Sequence, residues 1–104
     1  MNELIDLTGK NALVTGGSRG VGRATALLLA KAGANVGISY RNQHASAEAV
    51  VEELRALGVA AWAHGGDLAT PEAATALFGR AESEFGGLDI FVGNHGIWLK
   101  VDAP

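Results

Sequence analysis

The sequence predicts an α/β fold built on a parallel sheet, and three observations carry that expectation. Short β-prone runs alternate with longer segments whose apolar residues recur at helical spacing. Glycines close the first two helical segments, and a Thr-Pro pair opens the third. No linker, low-complexity tract or charge block interrupts the alternation.

Taken in order, Asn11–Thr15 (NALVT) is a strand that runs into a glycine cluster. Gly22–Ala32 (GRATALLLAKA) is rich in helix formers, and Gly33 stands where a helix ends. Asn35–Tyr40 (NVGISY) is the second strand. Ala47, Val50, Val51, Leu54 and Leu57 mark the second helix, with Gly58 closing it. Val59–Ala63 (VAAWA) reads as the third strand, weakened by alanine, a poor strand former. Thr70 is an N-cap and Pro71 a first helical residue. Behind them Ala74, Leu77, Phe78, Ala81 and Phe85 form an apolar stripe, with Gly79 costing about 1 kcal/mol relative to alanine. Leu88–Val92 (LDIFV) is the fourth strand. The order β-α-β-α-β-α-β calls for right-handed crossovers between parallel strands. Helices on both faces of such a sheet explain a continuous apolar run such as IFV. The helical stripes are assigned to packing against the sheet and carry no functional weight.

Composition narrows the function classes. The chain has 104 residues, enough for one domain, and 48% are apolar, so a core can form. A net charge of −3 gives no reason to expect nucleic acid or an anionic membrane as partner. The absence of cysteine removes disulfides, thiolate nucleophiles and cysteine metal sites, and fits a reducing cytoplasm. The start, MNELIDLTGK, carries two acids and lacks the apolar run of a secretory signal. The apolar patch around Ala24–Ala34 is too short and broken to span a membrane. His44, His64 and His95 share no metal-like spacing, and the Glu52-Glu53 and Glu82/Glu84 pairs fall on polar helix faces.

The stretch that carries chemistry is VTGGSRGVG, Val14–Gly22, between the first strand and the first helix. Gly16 permits a tight turn, Gly20 a close backbone approach and Gly22 close helix–strand packing. Free N–H groups in the first helical turn, together with the helix dipole, favour an anion there, and a pyrophosphate is the natural occupant. Glycines can also mark nothing more than a βα turn, but the position in the first βαβ unit favours dinucleotide binding. No Gly-Lys-Ser/Thr follows, which excludes a Walker-type phosphate loop.

TGGSRGVG resembles the T-G-x-x-x-G-x-G signature of the short-chain dehydrogenase/reductase family. Tyr40-Arg41-Asn42, GDL at Gly66–Leu68 and GNHG at Gly93–Gly96 agree with that family in order and distance. The resemblance implies a Rossmann-type sheet of strand order 3-2-1-4, the N-terminal half of a doubly wound fold. It implies cofactor contacts from Gly16, Ser18, Arg19, Gly20, Val21 and Gly22 in the loop, and from Tyr40, Arg41 and Asn42 after the second strand. Asp67 would accept from the adenine amino group, with a backbone contact from Leu68, although Asp67 could instead cap the approach to the next helix. Asn94, His95 and Gly96 would run beside the cofactor ribose, with His95 standing where the family usually has alanine. An NAD site calls for a carboxylate about 20 residues after the glycines, whereas a 2′-phosphate calls for arginine. The second strand ends in Tyr40-Arg41 without an acid, and Arg19 lies in the loop, which points to NADP(H) over NAD(H). The competing reading of Arg41 is a solvated charge at a strand end.

Family members transfer hydride between nicotinamide and a carbonyl or alcohol, using a serine and a Y-x-x-x-K pair. The one tyrosine here, Tyr40, has no lysine four residues on, so no residue of the chain is assigned a catalytic role. Residues 1–104 are therefore expected to form the dinucleotide-binding half of an NADP-dependent oxidoreductase, inactive alone, with the catalytic half elsewhere. A non-catalytic nucleotide-binding module and a dimerising structural fragment are the alternatives. Strand four is expected to be a bare apolar edge that recruits another chain, and Ile97–Pro104 to lead into a further helix.

Overall fold

The computed structural model describes residues 5–18, 20–66 and 70–93, and the backbone of 96–99. Along the chain come β1 (Asn11–Thr15), α1 (Gly20–Lys31), β2 (Asn35–Tyr40), α2 (His44–Ala56), β3 (Ala61–Gly65), α3 (Pro71–Phe85), β4 (Ile90–Gly93) and β5 (Gly96–Leu99). The sheet runs β3-β2-β1-β4-β5. The first four strands in chain order are parallel neighbours in the expected 3-2-1-4 arrangement.

Alternation along the strands divides the core in two, because successive side chains point to opposite faces. Ala12, Val14, Val36 and Ile38 face α1 and α2, where Ala26, Ala30, Ala47, Val50, Val51 and Leu54 meet them. Alanine on the inner side of α1 brings that helix close to the sheet. Leu13 and Trp62 face the other way, onto Leu77 and Ala81 of α3, with Phe85, Leu88 and Phe91 around them. Each fully buried Leu or Val in these layers contributes about 1.5–3 kcal/mol of transfer free energy. Helix α3 begins as its sequence dictates: Thr70 Oγ1 accepts from Ala73 N at 3.1 Å, with Pro71 in the first turn.

A polar clasp fixes the register at the start of the strands. Asn11 N donates to Asp89 Oδ2 at 2.9 Å, and Asn35 Nδ2 donates to Asn11 Oδ1 at 3.0 Å. Asn35 Oδ1 then accepts from Ala60 N at 3.0 Å, which holds the chain just before β3. Strand β3 starts two residues later than Val59. Glu53, expected on a solvated face, pairs with Arg23 across α1 and α2, and Glu84 pairs with Arg80 one turn away, surface pairs worth about 0–1 kcal/mol.

The far edge of the sheet departs from expectation. Strand β4 is not bare: β5 runs antiparallel to it, with Ile90 opposite Leu99 and Gly93 opposite Gly96. Residues 97–99 therefore continue the sheet as strand, while 100–104, the rest of the expected lead into a helix, lie outside the described residues. With that pairing β4 is an inner strand, and the edge on this side of the sheet passes to β5. Among the described residues no helix is long and apolar enough to cross a membrane.

Candidate functional site

At the C-terminal end of β1 the chain turns sharply, and this turn is the centre of the site. Gly16 and Gly20 take φ of 69° and 62°, left-handed backbone that other residues enter only with strain. The turn is tied to β2 through the buried Ser39: Gly17 N donates to its carbonyl at 3.1 Å, and Gly16 N lies 3.4 Å from its hydroxyl. Gly17 lies against Ile38, so close that a Cβ there would meet Ile38 Cγ2 at 2.6 Å.

Between this turn and the end of β2 opens a cavity of about 440 Å³. Gly16, Ser18, Gly20, Val21 and Gly22 form one wall; Tyr40, Arg41, Asn42 and Gln43 form the other. The cavity thus brings together two segments that sequence alone could only align in order. Arg19, Asp67, Leu68, Asn94 and His95 lie outside the described residues, and the backbone of Gly96 sits in β5 opposite Gly93.

Electrostatics suit an anion. Helices α1 and α2 both begin beside the cavity, and neither has an acid in its first turn. Gln43, the N-cap of α2, makes no side-chain capping bond, so the positive end of that helix is not quenched by its own cap. Arg41 adds a full positive charge to the same wall. Such a surface can hold phosphate groups and the sugar between them.

Three contributors were not legible in advance. Gly17 was hidden by its neighbour Gly16, Ser39 by the apolar strand around it, and Gln43 by its ordinary polar character; the Gly-Gly pair was the one available signal. Among the described residues no group of His, Asp and Glu could hold a metal.

His64 stands apart from the site, on β3. Burial, and then the positive charge of Arg80, hold its imidazole below the ordinary range. Folding therefore favours the neutral ring, and the unfolded chain binds more protons as pH falls below about 6.5. Stability is expected to be fully present above that pH and to decline as pH drops towards the folded pKa. Thermal melts between pH 8 and about 5 should show the decline, and His64→Gln should flatten it; an unchanged slope would show that His64 does not contribute.

Comparison with known proteins agrees with this geometry. The family model described as "short chain dehydrogenase" matches residues 10–104. The chain is 47% identical over 88 residues to a 3-oxoacyl-(acyl-carrier-protein) reductase, FabG, of Staphylococcus aureus (strain Mu50), covering 85% of this chain and 36% of the relative. It is 44% identical over 91 residues to an L-rhamnose 1-dehydrogenase (NAD(P)(+)) of Sphingomonas sp. (strain SKA58), covering 88% of this chain and 36% of the relative. Among solved structures, a short chain dehydrogenase from Burkholderia cenocepacia J2315 in complex with NADP superposes with a TM-score of 0.79 at 49% identity, covering 82% of this chain and 35% of the other. A dehydrogenase/reductase from Sinorhizobium meliloti 1021 gives 0.82 at 43% identity, covering 86% and 35%. The chain thus spans about a third of the length of the relatives it matches. With a family match from residue 10 to residue 104, a 3-2-1-4 sheet and a glycine turn at its centre, this chain belongs to the short-chain dehydrogenase family.

Proposed function

We propose that residues 1–104 form the dinucleotide-binding half of a short-chain oxidoreductase that prefers NADP(H). The observation that carries this is the cavity, which joins the glycine turn, two helix N-termini and Arg41 on one surface. The fit is physical. A Cβ on Gly20 would meet no protein atom within 4 Å, so the turn leaves open space where a phosphate needs to approach backbone N–H groups. Support for NADP(H) comes from Arg41 and from the lack of any carboxylate among the described residues that line the cavity; a relative with NADP bound agrees.

Bound nicotinamide would supply or accept the hydride exchanged with a carbonyl or alcohol substrate. The residues of this chain bind and orient. Gly16, Ser18, Gly20, Val21 and Gly22, with Arg19, receive the pyrophosphate; Tyr40, Arg41 and Asn42 receive the adenosine ribose and its 2′-phosphate. Asp67 and Leu68 take the adenine, and Asn94, His95 and Gly96 pass beside the second ribose. The serine and the Y-x-x-x-K pair that move the proton are assigned to the remainder of the protein, which makes these residues inactive alone. In this chain the position four after Tyr40 is His44, not lysine.

Binding measurements test the reading. Calorimetry should give tighter binding for NADPH than for NADH, and Arg41→Ala should weaken NADPH by roughly ten- to a hundredfold, the worth of one charged hydrogen bond, with little change for NADH. Tighter NADH binding, or no loss of NADPH affinity in Arg41→Ala, would sink the NADP preference. No binding of either would favour a structural fragment.

A further inference from the structure

Tyr40 is held more firmly than a residue that merely ends a strand. Its Oη lies 2.6 Å from His44 Nδ1, a hydrogen bond in which the hydroxyl donates when the ring proton sits on Nε2 and accepts when it sits on Nδ1. The two rings sit 5.6 Å apart at 56°. From the other side Gly65 is pressed against Tyr40: a Cβ there would meet both Cζ and Oη at 2.8 Å. The backbone closes the arrangement, with Gly66 N donating to Tyr40 O at 2.9 Å.

Between Tyr40 and His44 lie Arg41, Asn42 and Gln43, and all three line the cavity. The hydrogen bond therefore ties the two ends of the segment that carries Arg41. This is a tie across a bend, because α2 starts only at His44. The usual device for fixing such a segment, a side-chain cap on the following helix, is missing at Gln43. Holding the segment in one arrangement before ligand arrives reduces the ordering cost that binding must offset.

We propose that the Tyr40–His44 pair is a positioning device that sets how strongly the cavity distinguishes a 2′-phosphate from a 2′-hydroxyl. Beyond any contact that Tyr40 makes with the ligand, the pair fixes the segment that presents Arg41. The proposal rests on the NADP(H) reading above and deepens it.

The test compares NADPH and NADH affinities of the full-length protein carrying Tyr40→Phe, His44→Ala, both together, and His44→Gln. Phenylalanine keeps the ring against Gly65 and loses only the hydroxyl, so a folded variant is assured where alanine would risk the packing. Tyr40→Phe and His44→Ala should each lower NADPH affinity by roughly three- to tenfold, with NADH changed by less than about twofold. The double variant should lose no more than either single one, because both remove the same bond. His44→Gln, which restores an acceptor, should recover part of the loss. Equal losses for NADPH and NADH, or an unchanged ratio in both single variants, would overturn the proposal and leave the pair a structural contact. If Arg41→Ala also left NADPH unaffected, the NADP(H) reading itself would fall, and this device with it; retention of the Arg41 effect isolates the failure to the pair.

Discussion

Gly22→Ala is expected to abolish dinucleotide binding and to destabilise the fold by about 2–4 kcal/mol, measured by NADPH titration and urea denaturation. A Cβ at this position would stand 2.0 Å from Gly16 O, 2.8 Å from Gly16 C and 3.1 Å from Gly17 Cα. All three are backbone atoms of the turn, so no side chain can rotate away to make room. Either the turn or α1 must move. The turn is fastened to β2 through the Ser39 carbonyl and packed on Ile38, which makes displacement costly on that side too. The neighbouring Gly20→Ala provides the contrast. Its added methyl meets nothing within 4 Å, and only the left-handed φ of 62° opposes it, at about 1–2 kcal/mol. Gly20→Ala should therefore stay folded, with weaker NADPH binding if the turn approaches phosphate as proposed. Equal stability in the two variants would show that helix packing against the turn is looser than the distances imply.

The contrast also shows what sequence could and could not reveal. The roles expected for Gly16 and Gly22 match their geometry, because a turn and a close helix approach impose steric demands that only glycine meets. Parallel strands followed from the alternation, whereas the 3-2-1-4 order came from the family resemblance. Boundaries were less legible: β3 spans Ala61–Gly65, and just before it Asn35, 25 residues away in sequence, accepts from Ala60 N, a long-range contact that no local pattern reveals. The last strand was missed for a related reason. Gly96–Leu99 is a strand because β4 offers it a paired edge, and no local pattern distinguishes that from a loop. In the site, the two walls of the cavity were each visible as motifs, but the tie from Tyr40 to His44 was not. A tyrosine and a histidine four residues apart would suggest a helical pair, and here they meet across a bend.

Gly37→Ala is the second substitution with a large expected effect, and its sign is informative. A glycine inside a strand is worth about 0.5–1 kcal/mol less than alanine, so on propensity alone the change should stabilise. Packing opposes it. Gly37 pairs directly with Trp62 on β3, and a Cβ would meet the indole at 2.2, 2.5 and 2.6 Å. Trp62 is only 4% exposed, held by Phe85 at 5.5 Å and by the Arg80 guanidinium 5.1 Å above its ring. The ring has nowhere to go without emptying the space beside Leu13 and Leu77, and overpacking of this kind costs about 1–3 kcal/mol. Gly37→Ala is expected to destabilise by that amount net of the propensity gain. Trp62→Phe removes part of the ring and leaves a gap, but it also removes Nε1, which is buried with no hydrogen-bond partner among the described residues. An orphaned donor costs about 1–3 kcal/mol, so the two terms of Trp62→Phe oppose each other and its net effect should be small. Combining the substitutions places the new methyl in the space that the larger ring vacated. Urea denaturation of the four proteins should therefore give a favourable coupling of about 1–2 kcal/mol. Additive effects would instead locate the need for Gly37 in its backbone. The consequence reaches the site, because β3 ends at Gly65 against the Tyr40 ring: if Gly37→Ala pushes β3 away, NADPH affinity should fall in the single variant and return in the double one.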